Sequence, residues 1–158
     1  MLLKRSVLFA SIALVAIALL IVGVAIVAIL GNKPGPSAQY YYPIVWVSVP
    51  ETDPESTVAS VLRLEDDGTA VYKSIKFGDP GRSSDGRACI DSDGERHSGN
   101  GAWELDEDGA LRIHDDVGTA VFLPDQGRFT GPDWSELRQP FCDDTYVDFS
   151  PSSERIDR

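Results

Sequence analysis

Residues 6–30 form one uninterrupted apolar run of Ser, Ala, Gly, Leu, Ile, Val and Phe without a single charge. As a helix at about 1.5 Å per residue the run extends roughly 37 Å, against about 30 Å of bilayer hydrocarbon. Twenty-five such residues exceed an ordinary buried helix, so the segment is expected to cross a membrane with some tilt. A cleaved leader has an apolar core of about 7 to 15 residues and a small-x-small exit. This run is longer, and it ends in Ala28-Ile29-Leu30-Gly31, which places bulky residues where a signal peptidase needs small ones. An uncleaved anchor is the expectation. Lys4 and Arg5 precede the run while Lys33 alone follows it before the chain turns acidic, which predicts residues 1–5 in the cytoplasm and residues 31–158 outside the cell membrane.

Without Lys4 and Arg5, 12 of the 14 basic residues remain against all 25 acidic ones, a formal charge of −13 for the outer part. Such a surface repels nucleic acid and anionic lipid, and it attracts basic proteins. The partners expected are therefore the membrane, through the anchor, and an envelope or secreted protein of basic character, with no nucleic acid. Cys89 and Cys142 are the only cysteines and both fall on the oxidising side, which predicts a disulfide between them. Closing a loop of about 54 residues would contribute roughly 4 kcal/mol by chain entropy.

Residues 31–39 are rich in Gly and Pro and predict a linker, 40–150 a β domain, and 151–158 a frayed tail. Tyr40, Tyr41 and Tyr42 are expected to begin the first strand, in which Ile44, Trp46 and Ser48 alternate with Val45, Val47 and Val49. Two segments share one hairpin grammar. Residues 58–64 and 69–77 flank Glu65-Asp66-Asp67-Gly68, and residues 103–105 and 110–114 flank Asp106-Glu107-Asp108-Gly109. In each, Asp-Gly supplies the positive φ of a tight turn. Pro124-Asp125-Gln126-Gly127 has turn chemistry between strands at 118–123 and 128–130, and Asp133-Trp134-Ser135-Glu136 has capping-box spacing, predicting a short helical turn to Arg138. Residues 145–149 alternate as a last strand. About seven to eight short strands without intervening helices predict an antiparallel meander or small β-barrel, with a sandwich as the rival; the order Cys89, Trp103, Cys142 is shared with immunoglobulin domains, but Pro140 stands where those carry Tyr.

The long segment 78–101 predicts an irregular loop pinned by Cys89. Its Asp91-Ser92-Asp93-Gly94-Glu95 alternates carboxylates as calcium loops do, but lacks the third ligand before the glycine and the distant Glu of an EF-hand, so no metal is assigned. His114 and Asp115 are adjacent on a strand and point to opposite faces, His97-Ser98 lies in no nucleophile elbow, and the carboxylates at the hairpin tips are explained by turn chemistry. No catalytic residue and no cofactor follow. Trp46, Trp103 and Trp134 either line a barrel cavity or pack the core.

Leu62-Arg63-Leu64-Glu65-Asp66-Asp67-Gly68-Thr69 followed by Gly99-Asn100-Gly101-Ala102-Trp103-Glu104-Leu105 resembles the L-x-L-x-x-D-G-T hairpin and G-x-G-x-W-x-L strand of small secreted or membrane-anchored actinobacterial proteins of lipocalin-like type. The likeness covers roughly residues 58–123 and implies a β-meander or barrel without an assigned activity. The function expected is a membrane-tethered, non-enzymatic binding module, the alternative an acidic inhibitor or immunity-like protein acting on a cationic secreted enzyme.

Overall fold

Alternation of buried and solvent-facing side chains sets the architecture of the computed structural model, which describes residues 34–53, 58–127 and 131–152. Ten strands follow in order: β1 (Ile44–Ser48), β2 (Val61–Leu64), β3 (Thr69–Lys76), β4 (Asp79–Arg82), β5 (Ala88–Asp91), β6 (Arg96–Leu105), β7 (Leu111–Asp115), β8 (Gly118–Gly127), β9 (Gly131–Pro140) and β10 (Tyr146–Pro151). Eight of them close a barrel in the cyclic order β1-β10-β9-β8-β7-β6-β3-β2, every neighbour antiparallel. Closure through β1, which pairs with both β2 and β10, replaces the sandwich alternative. β4 and β5 form a separate hairpin between β3 and β6.

The Asp-Gly turns lie where expected, with Gly68 at φ 86° and Gly109 at φ 81°. Tyr40 to Tyr42 precede β1 instead of beginning it, and Pro36–Ala38 within the Gly/Pro segment form a 3-10 turn. Pro124 to Gly127 continue β8 rather than turning; Pro124 is tolerated because the β8–β9 register slips between it and Asp125. The capping-box residues lie within β9, since the Asp133 carboxylate accepts the Ser135 N–H at 2.9 Å and turns the strand locally instead of starting a helix. The expected loop 78–101 holds the β4–β5 hairpin and the first half of β6. Among the described residues no helix is long and apolar enough to cross a membrane; the run 6–30 lies outside them.

Trp46, Leu62 and Tyr72 sit in direct register across β1, β2 and β3, all buried, and Phe122 meets Phe149 edge-on at 5.4 Å. An eight-stranded barrel is just wide enough for such side chains to fill. The two sides of β8 differ from those of a simple surface strand: Val121 is as buried as its neighbours Ala120 and Phe122, because the β4–β5 hairpin packs against β8. A polar cluster lies at the barrel end where β3 stops and β6 starts. Arg96 donates to Ser60 Oγ at 3.0 Å, to the Ser74 carbonyl at 3.1 Å and, through both amino groups, to the buried Asp53 carboxylate.

Candidate functional site

The hairpin is built by small residues where it must approach its neighbours. Gly78 exchanges two backbone hydrogen bonds of 3.1 Å with Thr119, and a Cβ on Gly78 would stand 2.1 Å from the Asp91 carbonyl oxygen. A Cβ on Gly81 would lie 2.9 Å from Cys142 Sγ, so its bare backbone makes room for the Cys89–Cys142 disulfide, whose Cα atoms are 5.2 Å apart. The Cys142 N–H donates to the Ile90 carbonyl at 3.0 Å. The disulfide expected from the sequence is thus present, and it ties the hairpin to the end of β9.

At the hairpin tip, Gly86 adopts φ 82° and the Asp85 carboxylate takes hydrogen bonds from Ser83 Oγ at 2.6 Å and Arg87 Nε at 2.6 Å. These bonds, Ser83 first, hold the Asp85 carboxyl below the usual aspartate range. Arg82 donates to the Gly86 carbonyl at 2.8 Å and reaches Asp108 at 3.4 Å. Across from the tip, Arg138 makes a forked contact with Asp148 at 2.7 and 3.4 Å and lies 4.0 Å over the Tyr146 ring. The Asp148 hydrogen bond pushes the Arg138 guanidinium further toward its charged form.

Between hairpin and barrel runs a groove of about 310 Å³. Ala88, Ala110, Leu123, Pro124 and Leu137 border it, and of these Leu123 alone is more than marginally exposed. Its charged lining is Arg82, Arg87 and Arg138 against Asp108, Asp125, Glu136 and Asp148. All three guanidinia already contact a carboxylate, Arg87 through Asp85, whereas the lining carries one more acid than base. The site therefore offers an aliphatic stem somewhere to lie and a cationic head an acidic rim, the arrangement long basic side chains favour.

The residues singled out from sequence are distributed elsewhere. Trp46 and Trp134 are buried in the barrel and Trp103 packs against its core; each indole N–H donates at 3.0 Å to a backbone carbonyl, of Trp134, Pro34 and Glu65 respectively. His114 contacts Glu104 and Thr119 at 3.2 Å each on the outer face, while Asp115 accepts the Tyr72 hydroxyl, so the two neighbours diverge. His97 meets Phe77 edge-on at 6.1 Å. Asp67 accepts the Thr69 N–H at 2.9 Å, and Asp106 takes both the Ala110 N–H at 2.8 Å and Arg112 at 2.9 Å. Asp91 and Asp93 border a second cleft of about 490 Å³ beside the disulfide, with Asp53, Asp143 and Lys76. There Asp93 accepts the Glu95 N–H at 2.9 Å, and among the described residues no group of three or more His, Cys, Asp or Glu side chains is placed to hold a metal.

Arg82, Arg87, Asp125, Glu136 and Arg138 were not singled out by sequence reasoning. The available signal was Ser83-Ser84-Asp85-Gly86-Arg87, a third Asp-Gly turn of the kind that marks the other two hairpins. No protein-family model, curated protein or solved structure matches the chain.

Proposed function

We propose that this protein is a membrane-tethered, extracytoplasmic binding module without catalytic activity, and that its partner is a basic envelope or secreted protein. The observation that carries the reading is the groove between the disulfide-tied hairpin and the barrel, bordered by the partly exposed Leu123 and by Asp125 and Glu136. A lysine or arginine of the partner lays its methylene stem along the partly exposed Leu123 and brings its charge to those carboxylates. The formal charge of −13 on residues 31–158 steers such a partner toward the surface from a distance, which raises the association rate and makes it salt-sensitive. The uncharged run 6–30 supplies the tether, and a disulfide suits an oxidising compartment. The barrel interior is filled by Trp46, Phe122, Trp134 and Phe149, which supports reading the outer groove as the seat of the basic partner.

The test is affinity capture from envelope and secreted extracts with the detergent-solubilised full chain, beside an Asp125→Asn/Glu136→Gln variant. A basic protein should be retained at low salt, released at raised salt, and retained at least five-fold less by the variant. Equal retention by both chains, or no retained protein at low salt, would overturn the assignment. If the retained protein is an enzyme that loses activity when bound, the module acts as its inhibitor.

A further inference from the structure

A second feature of the barrel is its mouth, the end bearing the β2–β3 and β6–β7 turns, where the chain leads into β1. Trp46, Trp103 and Trp134 converge there, and what lies against them is a segment of the chain itself. Trp134 Nε1 donates to the Pro34 carbonyl at 3.0 Å. Gly35 follows in an extended conformation at φ −75° and ψ 178°, so close to Leu105 that a Cβ would stand 3.0 Å from its Cδ1. Pro36 is buried. Gln39 Oε1 then accepts the backbone N–H of Trp134 at 2.7 Å, Tyr40 meets Trp46 edge-on at 6.4 Å, and Tyr42 stacks on Trp103 at 6.0 Å.

An indole N–H aimed at the carbonyl of a proline, followed by one extended residue and the buried ring of a second proline where the chain enters its 3-10 turn, is chemistry by which proline-bearing peptides are held. Their backbone is already stiff, so binding orders little. We infer that the barrel mouth is a recognition site for extended Pro-x-Pro segments and that Pro34-Gly35-Pro36 occupies it in cis. The partner is a proline-rich extended stretch of another protein. A covalently attached occupant acts at an effective concentration of about millimolar, so the site is self-filled at rest and an external segment enters by displacing it. This site is separate from the outer groove and does not depend on the groove's function.

The test uses the full chain in detergent and a synthetic peptide copying residues 31–39, with the same peptide carrying alanine for both prolines as the control. Tryptophan emission reports binding. In Pro36→Asp, which places a carboxylate where the ring is buried, the peptide should give saturable binding at least ten-fold tighter than to the unmodified chain. Adding Trp134→Phe, which keeps an aromatic ring and removes the N–H, should weaken it at least five-fold. If Pro36→Asp loses its cooperative melt, Pro36→Ala/Gln39→Ala releases the segment without a new charge and is read in the same way. Failure of the folded variant to bind, or binding no stronger than that of the alanine control, overturns the inference. So does a peptide-sensitive dimer of the unmodified chain, which would assign the mouth to the segment of a second copy.

Discussion

Arg96 and Asp53 illustrate how one residue pair can decide whether a barrel end is tolerable. Asp53 is 4 % exposed, and a carboxylate there without a cation would be an uncompensated buried charge. Arg96 supplies that cation and also closes the Ser74 carbonyl, at a strand position where the β3–β6 register shifts and Ser74 itself takes φ 57°. Arg96→Leu should therefore destabilise the fold by about 3 kcal/mol or more, seen as a lower urea midpoint with unchanged slope. Arg96→Leu/Asp53→Ser should lose less than the sum of the two single changes, because no orphan charge remains. A loss below about 1 kcal/mol for Arg96→Leu would show the pair to be solvated. None of this was legible in the sequence: Asp53 lies in a Pro-flanked connection and Arg96 beside a histidine, and only the pairing of β1, β2, β3 and β6 in one sheet brings positions 43 residues apart into contact.

Elements were legible in proportion to how much of their pattern is local. The Asp-Gly turns and the alternation in β1, β3 and β7 are carried by adjacent residues, and they emerged at the expected places. The first half of β6 reads as loop because Gly99 and Gly101 interrupt any apolar alternation. Their lack of side chains has a tertiary reason: a Cβ on Gly99 would lie 3.1 Å from the Tyr72 hydroxyl, and one on Gly101 would lie 2.5 Å from the His114 carbonyl oxygen. The Asp133 segment failed for a different reason, since one side-chain oxygen two residues from an N–H serves a strand irregularity as well as a helix start. For the β4–β5 hairpin the covalent tie matters most. Cys89→Ser/Cys142→Ser should lose up to about 4 kcal/mol of global stability by chain entropy. Amide hydrogen exchange in residues 79–91 should accelerate ahead of that in β7 and β8, and uniform acceleration would mean that the hairpin unfolds only with the barrel.

At the scale of the whole molecule, acid is the revealing perturbation. Asp67, Asp85 and Asp143 lie in three separate turns and Asp133 near the start of β9, and hydrogen bonds from Thr69, Ser83, Ser135 and Thr145 hold each below the ordinary aspartate value of 3.8. A group whose folded pKa is depressed binds its proton more readily when unfolded. Its stabilisation is complete above the unfolded value and fades as pH falls through the folded one. The melting temperature should thus be level at mildly acidic pH and decline from 3.8 downward. Asp67→Asn, which keeps an acceptor for the Thr69 N–H without a proton to titrate, should make that decline shallower. An unchanged slope in the variant would remove Asp67 from the account.

The barrel passes straight from β3 to β6, so its cyclic pairing is complete without residues 79–91. The hairpin is in effect a replaceable cassette, fastened by one cross-link at Cys89 and by the backbone clasp at Gly78. Under the binding role proposed above, changes at Arg82 or Arg87 would retune what the groove accepts while the pairings that keep the wall shut stay as they are. Divergent copies of this architecture would then share a barrel and differ in appetite, and a foreign loop spliced between Gly81 and Cys89 would inherit a rigid mount.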